Sequence, residues 1–179
     1  DTTVNSGWGV LKERGFKVKD HHPYGELTLW QVLQKSSNTG VWQFAKMLGA
    51  EKFYDYAAQF GYGRKTGIGL VGETRGGLGN TGNRMDFSRC SYGYVLTASP
   101  LQIAAAYSVI ANDGVYIPPY IVKDVHAHKG RRPYVGAASK RVKEGTRRVL
   151  KAEVARDMRR ALLQVTTNKG TARRARAKG

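Results

Sequence analysis

A chain of 179 residues with 41% hydrophobic and 10% aromatic content can bury one sizeable core, or part of a larger one, and is not a disordered protein. Its one cysteine, Cys90, excludes an intrachain disulfide and fits no multi-cysteine metal pattern, and no apolar run approaches the ~20 residues a membrane-spanning helix needs. The net charge of +17, of which +11 falls from Lys140 onward, suits an anionic partner such as nucleic acid, lipid headgroups or acidic cell-wall polymer, and equally a solvated basic surface.

Residues 1–25 combine glycine and charge with short apolar alternations (Trp8, Val10, Leu11; Phe16, Val18), which predicts short strands and loops ending at the turn His22-Pro23-Tyr24-Gly25. A helix follows. Thr28 and Gln31 form a capping box, and Leu27 with Val32 can make the hydrophobic staple. Leu29, Val32, Leu33 and Ser36 recur at helical spacing, which places the Ser36 hydroxyl on the apolar, core-facing side of the helix end. At the joint to the next helix stands Lys35-Ser36-Ser37-Asn38-Thr39-Gly40. A hydroxyl and a carboxamide two residues apart at such a joint can point together into a cleft, although Ser and Asn are also ordinary helix N-caps.

The second helix shows Val41, Phe44, Ala45 and Leu48 on one stripe and stops at Gly49; a third, with Phe53, Ala57 and Phe60 inward, stops at Gly61. From Gly61 to Gly93 the glycine content predicts a looped excursion with little regular structure. Ser99, Pro100 and Gln102 then signal a helix start, with Ile103, Tyr107 and Ile110 as its buried stripe and Asn112-Asp113-Gly114 as its closing turn. Val115 to Val122, interrupted by Pro118-Pro119, reads as one or two edge strands, and 124–148 as a basic loop. A last helix over about 151–165 places Val154, Met158, Ala161, Leu162 and Val165 inward, ahead of an Arg-rich tail without apolar periodicity.

Four separated segments carry a resemblance. They are His22-Pro23-Tyr24-Gly25 with Leu27-Thr28; Gln34-Lys35-Ser36-Ser37-Asn38-Thr39-Gly40; Phe60-Gly61-Tyr62-Gly63 with Lys65-Thr66-Gly67-Ile68 and Gly72-Glu73; and Ser91-Tyr92-Gly93-Tyr94 with Ser99-Pro100-Leu101-Gln102 and Ala111-Asn112-Asp113-Gly114. In this order and spacing the chain resembles the transpeptidase domain of class B penicillin-binding proteins, most of all the septal, cell-division branch. The resemblance implies an α/β fold of the penicillin-binding-protein and β-lactamase type, of which residues 1–179 supply mostly the helical lobe plus short strands. Strands and loops fall in 1–25, a helical lobe with the Ser-x-Asn motif and Gly-rich loop in 26–114, and short strands, a basic loop, a C-terminal helix and a basic tail in 115–179.

The resemblance also implies roles. Ser36 is expected to be catalytic, helping a proton move between the nucleophile, its lysine and the leaving amine, and Asn38 to bind the acyl side chain of the peptide or β-lactam. Ser37 is the variable middle residue. The implied activity is a peptidoglycan D,D-transpeptidase that cross-links stem peptides through a serine acyl-enzyme, needs no cofactor or metal, and is acylated by β-lactam antibiotics. The implied setting is the cell envelope, beside a glycosyltransferase and other divisome proteins, with a membrane anchor outside this segment and this domain on the outer face.

No serine in the chain has a lysine three residues on, so the acylated serine of Ser-x-x-Lys is expected upstream. Lys65-Thr66-Gly67 follows Ser36 too closely, and in too Gly-rich a loop, to be the third motif. That strand is expected soon after Lys169-Gly170-Thr171-Ala172, just beyond Gly179. With Asp1-Thr2-Thr3 in place of an initiator Met, these features suggest an internal fragment, inactive alone. Two alternatives stand beside this reading. One is a non-catalytic scaffold of the same fold. The other is a nucleic-acid-binding module led by the C-terminal helix and Arg173-Arg174-Ala175-Arg176, which the family reading does not favour.

Other candidates read as structural. His126-Ala127-His128 has the spacing for two imidazoles to share a metal on a strand, but lacks a third ligand cluster and reads as surface loop. His21 and His22 belong to the turn before Pro23. Tyr54, Tyr56, Tyr62, Tyr92 and Tyr94 fit core or rim positions better than base-stacking ones. Glu73 is expected to be a structural hydrogen-bonding residue.

Overall fold

The computed structural model describes residues 2–122 and 142–176. Four short strands, β1 (Thr3–Asn5), β2 (Val10–Glu13), β3 (Phe16–Lys19) and β4 (Glu26–Thr28), precede five helices. These are α1 (Leu29–Lys35), α2 (Asn38–Leu48), α3 (Ala50–Gln59), α4 (Arg84–Ser91) and α5 (Pro100–Ala111); β5 (Val115–Tyr116), β6 (Arg147–Arg148) and α6 (Ala152–Val165) follow. The strands form antiparallel two-stranded ribbons, β1 with β4, β2 with β3 and β5 with β6. The chain gathers into two compact units, residues 1–55, 78–96 and 157–179 in the first and 56–77 and 97–156 in the second.

The first unit is built around α2. Its start follows from Ser37 as N-cap and its end from Gly49, where a positive φ of 87° ends the helical path. Two faces of α2 are covered. Trp42 and Ala45 pack with Val18 and Phe87, whereas Val41 and Phe44 lie against Val4, Leu27 and Val32. Trp42 lies off the predicted stripe, yet is only 1% exposed, and its ring meets Phe87 edge-on at 5.2 Å. Its indole N–H donates to Glu13 at 2.8 Å. Leu48, expected inward, is 40% exposed, because the two covered faces leave it on neither.

The stretch 61–93 is not the loop that its glycines suggest throughout. It contains α4, started by Asn83, whose side-chain oxygen accepts from the Met85 and Asp86 amides. Phe87, Ser88 and Cys90 are buried, so three side chains seat the helix, only two of them apolar.

In the second unit α5 begins as expected, with the Ser99–Gln102 capping box formed in both directions and Pro100 in the first turn. Its buried face, however, is Gln102, Ala105, Ala106 and Val109, and Ile103 and Tyr107 are exposed. The reason is Gln102. Its amide donates to the carbonyls of Arg64 and Arg75 at 2.8 and 2.9 Å, and its oxygen accepts from the Ser99 N–H, so it can be buried without loss. Ala105, Val109, Tyr116 and Val149 form the core, with Phe60 and Leu150 against it.

Of the segment 115–122 only Val115–Tyr116 is a strand, since Pro118 and Pro119 cannot donate to a ladder. On α6 the buried residues are Ala155 and Ala161, while Val154, expected inward, is 42% exposed. The basic loop expected at 124–148 lies outside the described residues as far as 141; its last part holds β6.

Candidate active site around Ser36-Ser37-Asn38

The joint between α1 and α2 is two residues long, and each adopts a different conformation. Ser36 is left-handed (φ 52°, ψ 46°), and its N–H is shared between the carbonyls of Leu33 and Val32. The Ser37 N–H also reaches the Val32 carbonyl, at 3.0 Å. This is how a helix closes its last carbonyls, usually with glycine in the left-handed place. A serine there costs about 1–2 kcal/mol. The helical periodicity therefore ends at Lys35, and Ser36 is exposed rather than core-facing. This corrects the expectation from spacing.

Ser37 turns the other way and is fully buried. Its hydroxyl caps α2 by accepting from the Gly40 N–H at 3.0 Å and donates to Asp20 at 2.7 Å. The same carboxylate accepts from the Thr39 hydroxyl at 2.7 Å and the Thr39 N–H at 2.9 Å. An acid at this place also complements the positive end of the α2 dipole. One residue earlier, the Lys19 carbonyl accepts from the Asn38 amide at 2.9 Å. The end of β3 thus grips the joint through Ser37, Asn38 and Thr39. Gly40 completes the joint, because a Cβ there would run into the Val32 side chain. Asp20 was not singled out from sequence, and Thr39 was quoted in the stretch without a role of its own. Asp20 stands 17 residues before Ser37, and only the β3–α2 packing brings them together.

The opposite side of the joint faces the turn that follows α6. Gln34 donates to the Thr167 hydroxyl at 3.4 Å, Lys35 to the Lys169 carbonyl at 3.2 Å, and the Ser36 and Thr171 hydroxyls lie 3.0 Å apart. Of the triplet, Ser36 is exposed and Asn38 half-buried, one offering a hydroxyl and the other a carboxamide. Such a pair can exchange a proton with, and orient, a peptide-like ligand.

Lys65-Thr66-Gly67 has a different environment. The Thr66 hydroxyl donates to Glu73, and the Gly67 N–H reaches both carboxylate oxygens of Glu73 at 2.8 and 3.1 Å. Burial would raise the Glu73 carboxyl, but the Thr66 hydroxyl and the amides around Gly67 outweigh it and hold it below its ordinary value. The segment is a closed loop, and Glu73 is the structural residue expected. Tyr54 packs on Phe53 and Phe87, and Tyr92 meets Tyr94 edge-on. His22 meets Tyr24 likewise. His126 and His128 lie outside the described residues. Among the described residues no three His, Cys, Asp or Glu side chains gather in a way that would hold a metal.

Comparison with known proteins gives a consistent picture. The family model for the penicillin binding protein transpeptidase domain matches residues 1–179. Peptidoglycan D,D-transpeptidase FtsI of Escherichia coli K12 is 41% identical over 111 residues, 61% of this chain and 19% of that protein. The probable peptidoglycan D,D-transpeptidase PenA of Neisseria meningitidis is 33% identical over 156 residues, 86% of this chain and 24% of that protein. The chain thus spans about a fifth to a quarter of these relatives. Among solved structures, the apo transpeptidase domain of Burkholderia pseudomallei penicillin-binding protein 3 superposes with a TM-score of 0.82 at 30% identity, covering 98% of this chain and 50% of that one. Penicillin-binding protein 3 of Mycobacterium tuberculosis, solved with aztreonam, does so with 0.78 at 30% identity, covering 99% of this chain and 40% of that one.

Proposed function

Because the chain belongs to the penicillin-binding protein transpeptidase family, we propose that it is the Ser-x-Asn part of a septal D,D-transpeptidase. The complete enzyme cross-links peptidoglycan stem peptides through a serine acyl-enzyme and is acylated by β-lactams. Ser36 passes a proton between the acylated serine, its lysine and the leaving amine, and Asn38 binds the acyl side chain of the donor. Acyl transfer through a serine, with these two side chains acting by hydrogen bonding, needs no metal or organic cofactor. Its setting is the cell envelope, with the domain outside the cytoplasmic membrane and held there by an anchor elsewhere in the protein, beside a glycosyltransferase and other division proteins.

The observation that carries this reading is the joint itself. Within a chain matched end to end by the family, Ser36 is exposed and Asn38 half-buried, while buried Ser37 and Thr39 hold the backbone beneath them. The test is covalent labelling of the full-length gene product with a fluorescent penicillin. A single band that survives denaturing electrophoresis is expected, with Ser36→Ala slowing its appearance about 10²-fold or more. Full-length protein that folds but takes up no label sinks the proposal.

A further inference from the structure

The turn after α6 makes its contacts with the end of α1 at alternate residues: Thr167 to Gln34, Lys169 to Lys35 and Thr171 to Ser36. Each side of that seam is fixed without the other. On the α1 side, the Ser36 N–H is tied to Leu33 and Val32, and the next residue is locked by Asp20. On the turn side, Gly170 donates to the Thr167 carbonyl at 2.9 Å and Ala172 to the Val165 carbonyl at 3.0 Å. Gly170 also presses so closely on the Val165 carbonyl that no Cβ fits there. Two hydroxyls on independently fixed backbones thus meet at 3.0 Å.

A hydroxyl has one proton and two acceptor sites, and in water it rotates freely among them. Resting on the function proposed above, we propose that Thr171 is a positioning residue for Ser36. Its hydroxyl takes one of the hydrogen-bonding directions of Ser36 Oγ and so aims the remaining ones at the reacting groups. When Thr171 donates, the Ser36 proton points to the cleft; when Thr171 accepts, a lone pair does. A shuttle needs both states, and a threonine hydroxyl, unlike a carbonyl or an ammonium, supplies both. No proton is gained or lost at Thr171 over the cycle.

The experiment uses the full-length protein and two substitutions. Thr171→Val keeps the shape and removes the hydroxyl; Thr171→Ser keeps the hydroxyl. Acylation by fluorescent penicillin is expected to slow about tenfold or more in Thr171→Val, less than the roughly 10²–10⁴-fold worth of a whole acid–base group, and to return to within about threefold of wild type in Thr171→Ser. Combined with Ser36→Ala, Thr171→Val should add little, since both act through one oxygen. Melting temperatures of all variants are read alongside. Wild-type labelling in Thr171→Val, loss in Thr171→Ser equal to that in Thr171→Val, or full additivity with Ser36→Ala overturns the proposal while leaving the transpeptidase reading intact. Failure of the wild-type protein to label overturns both.

Discussion

Ser36 carries two opposed demands. Its left-handed backbone prefers glycine, whereas its proposed chemistry needs a hydroxyl. Ser36→Gly is therefore expected to raise stability by about 0.5–1 kcal/mol in chemical denaturation while lowering penicillin labelling by about 10²-fold. A variant that loses both stability and labelling would show that the strain at Ser36 is not what the backbone suggests. Asp20 makes the complementary case. Its carboxylate takes three hydrogen bonds from Ser37 and Thr39, both fully buried, so Asp20→Ala should cost about 2–3 kcal/mol by leaving those donors unpaired. Asp20→Asn, which keeps one acceptor oxygen, should cost clearly less. Equal losses would mean that the hydrogen bonds contribute little.

Helix starts were the most legible elements. The Thr28–Gln31 and Ser99–Gln102 boxes are complete within four residues, so the information is local, and both form as read. Burial on the helices was harder to read. On α5 the spacing of Ile103, Tyr107 and Ile110 suggested one face, but alanines pack closely enough to serve as the other. The burial of Gln102 depends on carbonyls 38 and 27 residues away in sequence. α4 was missed because Asn83 stands in a Gly-rich stretch and, of its three buried residues Phe87, Ser88 and Cys90, one is polar, which leaves little apolar periodicity. The candidate triplet was named from its motif, and the residues that contact it were given no role, since Asp20 and Thr171 reach it only through tertiary packing. Gln102 itself offers a test at this scale. Gln102→Glu removes both amide donors and sets a carboxylate against two carbonyls. It should therefore destabilise more than Gln102→Leu, and speed limited proteolysis within 64–75. Proteolysis unchanged in both variants would refute the pinning of that segment by Gln102.

At the scale of the whole molecule, each compact unit contains, among the described residues, one carboxylate held below its ordinary value. In the first unit burial would raise Glu13, but Lys46 and Trp42 donate to it, and the charges of Lys46 and Arg84 act in the same direction. In the second, Glu73 is held by Thr66 and the amides around Gly67. A depressed folded-state pKa gives stability that is present above the unfolded value near 4.5 and lost as pH falls through the lower folded value. The contribution of these two carboxylates should therefore be lost as pH falls below about 4.5. Glu13→Gln should be less stable than wild type at pH 7 and flatter through the acid limb; an unchanged acid limb in Glu13→Gln combined with Glu73→Gln would refute the assignment. The segmental make-up of the first unit has a further consequence, for biosynthesis. Gln34 and Ser36 await partners 133 and 135 residues later in the chain. At about 5–20 residues per second of synthesis, roughly 7–27 s separate the emergence of the two sides. The nascent chain thus carries its Ser-x-Asn joint half-supported over that interval, and the hydroxyl pair can close only once the turn after α6 has emerged.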